Sequence, residues 1–144
     1  MIYFLDASAL VKRYVKEAGT EQISRLLRGR AALGASILSS VEVASALARR
    51  ARAGDLPQSA AKSHGRRAAS DLAEMHVIAA SREVLKIAVE LIWRHPLRAY
   101  DAIQLASAIR LSRETGLAVT FVCGDERLAA AAKGEGLRAL RVGG

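Results

Sequence analysis

Four acidic residues, Asp6, Glu42, Asp101 and Asp125, stand where this chain can do chemistry. Asp6 directly follows the apolar run Ile2-Tyr3-Phe4-Leu5, and Asp125 follows the strongest strand-like run, Leu117 to Val122, behind Cys123-Gly124. Glu42 and Asp101 each fall in the first turn of a predicted helix. Open α/β sheets bind ligands just outside the carboxyl ends of their strands. Asp6 and Asp125 therefore belong on that edge, and first helical turns can open onto it. Each acid alone has a purely structural account. Ser39 followed by Glu42 is a capping-box pattern, Asp101 complements a helix dipole, Asp125 suits an N-cap, and Asp6 suits an Asx turn. Four acids converging on one edge of a basic chain are harder to explain that way. Like charges about 4 Å apart repel by roughly 1 to 4 kcal/mol in water-like to surface-like surroundings, so such a cluster must take up protons or bind cations. Carboxylate oxygens without His or Cys beside them suit Mg²⁺ or Mn²⁺. One or two such ions can activate water and stabilise the leaving oxygen of a phosphodiester.

Other chemistries find less support. The glycines form neither a dinucleotide fingerprint nor a phosphate loop. Ser39, Ser40 and Ser45 lie in no Gly-x-Ser-x-Gly nucleophile elbow. His64, His76 and His95 are scattered, with no two at helical metal-ligand spacing, and are expected in surface or packing roles. The single cysteine, Cys123, excludes an intramolecular disulfide and a cysteine-built zinc site. It reads as a buried strand residue rather than a nucleophile. A lone thiol and an N-terminus without a basic leader point to a reducing cytoplasm. The apolar runs stop well short of the roughly 20 residues of a membrane span.

The elements that must position the four acids follow from the pattern. A chain of 144 residues suits one domain, residues 1–144. Ile2 to Leu5 predicts a strand buried on both faces. Helices are expected from about Ala9 and from Glu21, the latter capped by Thr20. Leu33 to Ile37 reads as a strand. Ala44, Leu47, Ala48 and Ala51 then mark a helix ended by Gly54. Pro57 sits in the first turn of the next helix, and Met75 to Ile78 is a further strand. Val84, Ile87, Ala88 and Leu91 mark a helix stopped by His95-Pro96, with Trp93 expected in the core or in a subunit contact. Ala102, Leu105, Ala106 and Ile109 mark another helix, closed by Gly116. After the Leu117 to Val122 strand come a helix from Asp125 and a closing strand within Leu137 to Val142. Strands alternating with helices predict an α/β fold, a central mostly parallel sheet flanked by helices.

The charge concerns partners. Twenty-two Lys and Arg against fourteen Asp and Glu leave +8, with a sequence pI of about 10.4, which favours an anionic partner. Aromatic residues make up only 4%, too few for a base-stacking platform, so nucleic acid would be held mainly by its backbone. Arg49, Arg50, Arg52, Lys62, Arg66 and Arg67, against the single acid Asp55, form a basic stretch. It can grip RNA phosphates or an acidic protein, or form a solvated helical hairpin.

These residues carry a resemblance. Ile2-Tyr3-Phe4-Leu5-Asp6-Ala7-Ser8-Ala9-Leu10 resembles the opening of a PIN-domain ribonuclease, and Glu42 within Ser39-Ser40-Val41-Glu42-Val43 resembles that family's second acid. Leu97-Arg98-Ala99-Tyr100-Asp101-Ala102-Ile103-Gln104-Leu105-Ala106 is similar to its most recognisable motif, and Phe121-Val122-Cys123-Gly124-Asp125-Glu126-Arg127-Leu128 to its last. The bare size resembles the VapC toxins of toxin–antitoxin pairs. The resemblance implies a metal-dependent endoribonuclease in which Asp6, Glu42, Asp101 and Asp125 hold one or two Mg²⁺ or Mn²⁺ ions. Ser8 would position a ligand or the substrate phosphate. It further implies an RNA substrate, a VapB-type antitoxin and a homodimer. Cys123 departs from the family pattern, in which Ser or Thr is usual there. Two other readings stay open: a phosphatase using Asp6 as a covalent nucleophile, and a non-catalytic RNA- or protein-binding module on the same fold.

Overall fold

The near-continuous apolar runs at Ile2–Leu5 and Val119–Cys123 become strands buried on both faces at the middle of a sheet. The computed structural model describes residues 1–29 and 31–143. In chain order its elements are β1 (Ile2–Leu5), α1 (Ala7–Val11), α2 (Thr20–Arg28), β2 (Ala32–Ser36), α3 (Ser39–Arg52), α4 (Gln58–Ala73), β3 (His76–Ile78), α5 (Arg82–Arg94), α6 (Ala99–Thr115), β4 (Val119–Cys123), α7 (Glu126–Gly134) and β5 (Arg138–Arg141). The five strands pair in the order β3-β2-β1-β4-β5, every pair parallel. The α/β reading therefore holds, and the sheet is wholly parallel among the described residues.

Alternation along β1 and β4 divides the interior into two cores. Ile2, Phe4, Val119, Phe121 and Cys123 pack with buried residues of α5, α6 and α7, and the Phe4 and Phe121 rings stack at 5.8 Å. Leu5 and Val122 face the opposite side, where Leu10, Ile23, Val43, Leu47 and Leu72 close the second core. Glycine is favoured at position 34, because a Cβ there would come within 2.6 Å of Leu111 Cδ2 and force that side chain to shift. Its absence lets α6 press against β2.

Several element boundaries differ from expectation. The helix expected from Ala9 starts at Ala7, because Asp6 itself caps it. Thr20 does not cap α2: Gly19 holds the N-cap position at φ 96°. The Thr20 hydroxyl instead accepts from Glu17 N at 3.0 Å and donates to Val15 O at 3.3 Å. Pro57 is the extended N-cap of α4 rather than a residue of its first turn. Trp93 is 86% exposed on α5, so its expected place in the core is overturned. Among the described residues no helix is long and apolar enough to cross a membrane.

The topology decides where a site can form. From β1 the chain runs outward through β2 to β3 on one side, whereas β4 and β5 lie on the other. The strand order reverses between β1 and β4, and their carboxyl ends open a crevice at that switch point. Asp6 follows β1 there, and Asp125 follows β4.

Candidate functional site

Asp6 lies between the end of β1 and the start of α1, where the chain must satisfy the unpaired N–H groups of a new helix. Its Oδ1 accepts from Ala9 N at 2.9 Å and from the Ser8 hydroxyl at 2.7 Å. Both bonds land on one oxygen, leaving Oδ2 free of protein partners among the described residues. The Ser8 hydroxyl in turn accepts from Gly124 N at 3.0 Å. One serine thus fixes the first acid and ties it to the loop after β4. Asp6 is only 3% exposed. Burial is the largest influence on it, and with the nearby Asp101 and Glu42 it outweighs the two hydrogen bonds, pushing the carboxyl up to about 7.

Glu42 enters from the first turn of α3. The expected capping box with Ser39 does not form: Leu38 holds the N-cap position, and no side chain caps this end. Ser39 and Glu42 turn instead toward α6. Gln104, 1% exposed, donates through Nε2 to Ser39 Oγ at 3.1 Å and to Glu42 Oε1 at 3.2 Å. Burial raises the Glu42 pKa, the Gln104 bond opposes this, and Asp101 adds to the rise. Gln104 Oε1 is buried without a partner among the described residues. Sequence reasoning assigned Gln104 no role. The available signal was its polar character three residues after Asp101, in a run that is otherwise apolar.

Asp101 occupies the first turn of α6, as expected. Burial is the main cause of its raised pKa, Asp125 adds repulsion, and Arg98 opposes both. Asp125 caps α7, its Oδ1 accepting from Leu128 N at 3.0 Å. The N-cap role weighed for it is therefore real, and so is its place at the crevice. Cys123 is fully buried in β4. Burial, followed by the nearby Asp6, pushes its thiol up to about 12. A nucleophilic thiolate is thus suppressed near neutrality.

Asp6 feels Asp101 and Glu42, Glu42 feels Asp101, and Asp101 feels Asp125. The fold therefore brings all four sequence-predicted acids around one crevice. They do not stand as a closed ligand cluster: among the described residues no three Asp, Glu, His or Cys side chains form a group able to hold a metal ion as placed. Their donor chemistry nonetheless fits a hard divalent cation. Every donor is a carboxylate oxygen, Asp6 keeps one oxygen uncommitted, and three of the four acids are raised by burial and mutual repulsion that a cation would relieve.

A polar cavity of about 360 Å³ adjoins the acids, lined by Asp101, Asp125 and Glu126 together with Arg98, Arg127 and the Pro96-Leu97 turn. The two arginines were also missed from sequence as members of the site. The histidines lie elsewhere: His95, for example, pairs with Glu135 at 2.7 Å beside Arg94. The basic stretch is partly structural. Arg50 pairs with Glu17 at 2.6 Å, and Arg67 lies over the Tyr14 ring. Between α3 and α4 runs a groove of about 430 Å³ floored by Ala44, Leu47, Ala48 and Ala61, with Arg52 and Lys62 in its lining.

Fold and site together define a nuclease-type α/β domain with an acidic crevice at its switch point. The chain belongs to the PIN domain family, whose model matches residues 3–134. It is 37% identical over 134 residues to Ribonuclease VapC46 of Mycobacterium tuberculosis, covering 93% of this chain and 92% of that one. Among solved structures, PAE2754 from Pyrobaculum aerophilum matches with a TM-score of 0.62 and 27% identity over 96% of this chain and 83% of the other. A toxin–antitoxin complex from Klebsiella pneumoniae shares the fold, with a TM-score of 0.63 and 18% identity over 88% and 90% of the two chains.

Proposed function

We propose that this protein is a metal-dependent endoribonuclease, the toxin of a VapBC-type pair acting in the cytoplasm. The observation that carries the reading is the gathering of Asp6, Glu42, Asp101 and Asp125 at the β1–β4 switch point. It is joined by 37% identity across nearly the whole length of a protein named as a ribonuclease. One or two Mg²⁺ or Mn²⁺ ions held by these four acids would supply water activation and charge neutralisation at a phosphodiester. The chain's own contribution is positional. Ser8 fixes Asp6 through Oδ1 and leaves Oδ2 uncommitted, Gln104 orients Glu42, and the caps of α1 and α7 hold Asp6 and Asp125 on rigid elements. The Asp6 proton, retained up to about pH 7, must leave before that carboxylate can ligate.

The test is cleavage of a mixed structured-RNA pool with Mg²⁺ or Mn²⁺, with EDTA, and with the Asp101→Asn variant. Discrete metal-dependent cuts lost in the variant support the reading. Tight RNA binding without any cleavage would transfer it to a non-catalytic module. A trapped aspartyl-phosphate on Asp6 would transfer it to a phosphatase.

The partners belong to the same proposal. The charge of +8 and the apolar α3–α4 groove with Arg52 and Lys62 in its lining suit an acidic amphipathic segment of an antitoxin. The exposed Leu85, Val89, Ile92 and Trp93 of α5 supply an apolar face for a second copy of the chain.

A further inference from the structure

Several arginines of this fold are held by acids. Arg13 meets Asp71, Arg50 meets Glu17, Arg94 meets Glu135, and Arg110 meets Glu83 and Glu114. Arg98 and Arg127 are not held in this way, and they stand beside the crevice. Both line the polar cavity that also holds Asp101 and Asp125, yet neither makes a side-chain hydrogen bond or ion pair among the described residues. Each therefore offers its full fork of N–H donors to something outside the protein.

Their placement restricts what that is. Arg98 is the N-cap residue of α6, and Arg127 lies in the first turn of α7. The positive ends of two helices thus open beside two guanidinium groups. The third carboxylate in the lining, Glu126, is 84% exposed in its side chain and 3.9 Å from Arg141, so it is partly answered elsewhere. The Pro96-Leu97 turn, which follows α5, fixes where Arg98 stands. Planar guanidinium groups match the oxygens of a phosphate, which can accept two parallel hydrogen bonds from one fork.

We infer that Arg98 and Arg127 together hold one phosphate of the RNA strand, adjacent to the phosphodiester presented to the acids, and so set which bond enters the site. This rests on the ribonuclease reading and adds to it a strand-positioning pair. It assigns the α6–α7 side of the crevice to the RNA backbone and leaves the α3–α4 groove to a protein.

The test is binding of a short fluorescent oligouridylate in Mg²⁺, with Asp101→Asn as the parent so that the strand stays intact, which a gel verifies. Affinity is measured across a range of salt concentrations. A single-stranded contact contributes about 0.7 to the slope of log affinity against log salt. Adding Arg98→Gln and Arg127→Gln together should lower that slope by about 0.7 and weaken binding roughly tenfold. The paired Arg98→Lys and Arg127→Lys changes keep the charge and lose the fork, so they should restore the slope while leaving affinity below the parent's. Arg113→Gln, at the far end of α6, should change neither. Thermal melts check that each variant folds. An unchanged slope and affinity in the double Gln variant would overturn the pair. A parent that binds no RNA would overturn it too, and wild-type cleavage of the RNA pool, run alongside, decides whether the nuclease reading falls with it.

Discussion

Asp6→Asn should make the metal-free protein more stable at pH 8, although it removes the best-held acid of the site. Asp6 has an ordinary pKa of 3.8 when exposed and about 7 in the fold, chiefly because burial disfavours its charge. A folded pKa above the unfolded one means that stability is fully present below about pH 4 and is lost as pH rises through 7. That pKa difference corresponds to about 4 kcal/mol when the carboxylate is fully ionised. Asparagine keeps an acceptor for Ala9 N and the Ser8 hydroxyl, both now on Asp6 Oδ1, and carries no charge at any of these pH values. In EDTA at pH 8 the variant should melt roughly 10 °C higher, taking about 2 to 4 °C per kcal/mol for a chain near this size. The difference should close as pH falls toward 4. Saturating Mg²⁺ should narrow it at pH 8, because a cation that binds only the folded wild type stabilises it by mass action. Urea and thermal unfolding between pH 4 and 8, with and without Mg²⁺, measure all of this. A variant no more stable than wild type at pH 8, or a gap that ignores pH, would refute the account of Asp6 as a buried carboxylate held against its desolvation.

Three further outcomes follow from the same contacts. Ser8→Ala removes a bond that lowers the Asp6 pKa and the acceptor for Gly124 N. Cleavage at pH 7 should fall roughly tenfold and recover partly at pH 9, since a neutral–charged hydrogen bond is worth about 1.5 to 3 kcal/mol; a pH profile of kcat/KM reads the shift. Gln104→Leu keeps the bulk but removes the donor to Glu42. Calorimetric Mg²⁺ affinity should drop about 10- to 100-fold, the usual cost of losing a group that orients a ligand, while far-UV dichroism stays unchanged. Trp93→Glu places a charge on the exposed α5 face and should convert a dimer to a monomer in light scattering without altering the melting temperature by more than a few degrees.

Much of the fold was legible because its strands and helices state their burial in one dimension. Ile2 to Leu5 and the run ending at Cys123, interrupted only by Thr120, are near-continuously apolar, as a strand covered on both faces requires. The location of Asp6 and Asp125 then followed from the rule about strand ends. The core placement of Trp93 was wrong although its position was encoded, and its alternative, a subunit contact, stays open. Val84, Ile87, Ala88 and Leu91 define the buried stripe of α5, and nine residues after Val84 the helix has turned through half a revolution beyond two full turns. Trp93 must therefore face outward. Thr20 was misread for a different reason: Gly19 at φ 96° takes the turn that a capping threonine would have made. Arg98, Arg127 and the bond from Gln104 to Glu42 depend on how α3, α6 and α7 approach one another, across 29 residues between the arginines and 62 between Glu42 and Gln104, and no local pattern carries that distance.

The structural and the chemical accounts of the acids also stop being alternatives once the oxygens are counted. A cap needs one acceptor, and a carboxylate has two. Asp6 spends Oδ1 on Ala9 N and Ser8, and Asp125 spends Oδ1 on Leu128 N, so each retains a second oxygen. Capping fixes the carboxylate's position, which is what a ligand requires of its support. Where a parallel strand gives way to a helix at the sheet's carboxyl edge, the residue that best starts the helix is already aimed at the crevice. Glu42 shows the converse. Relieved of the capping box, it is held by Gln104 from a different helix, whose buried Nε2 satisfies its two N–H groups on Ser39 and Glu42 and so fixes the direction of the acid. Asp101 alone among the four has no side-chain hydrogen bond among the described residues, and it is the one that feels repulsion from Asp125 and attraction from Arg98 together. It is therefore the acid least held by the protein's own hydrogen bonds, and the one whose loss should separate cleavage from folding most cleanly.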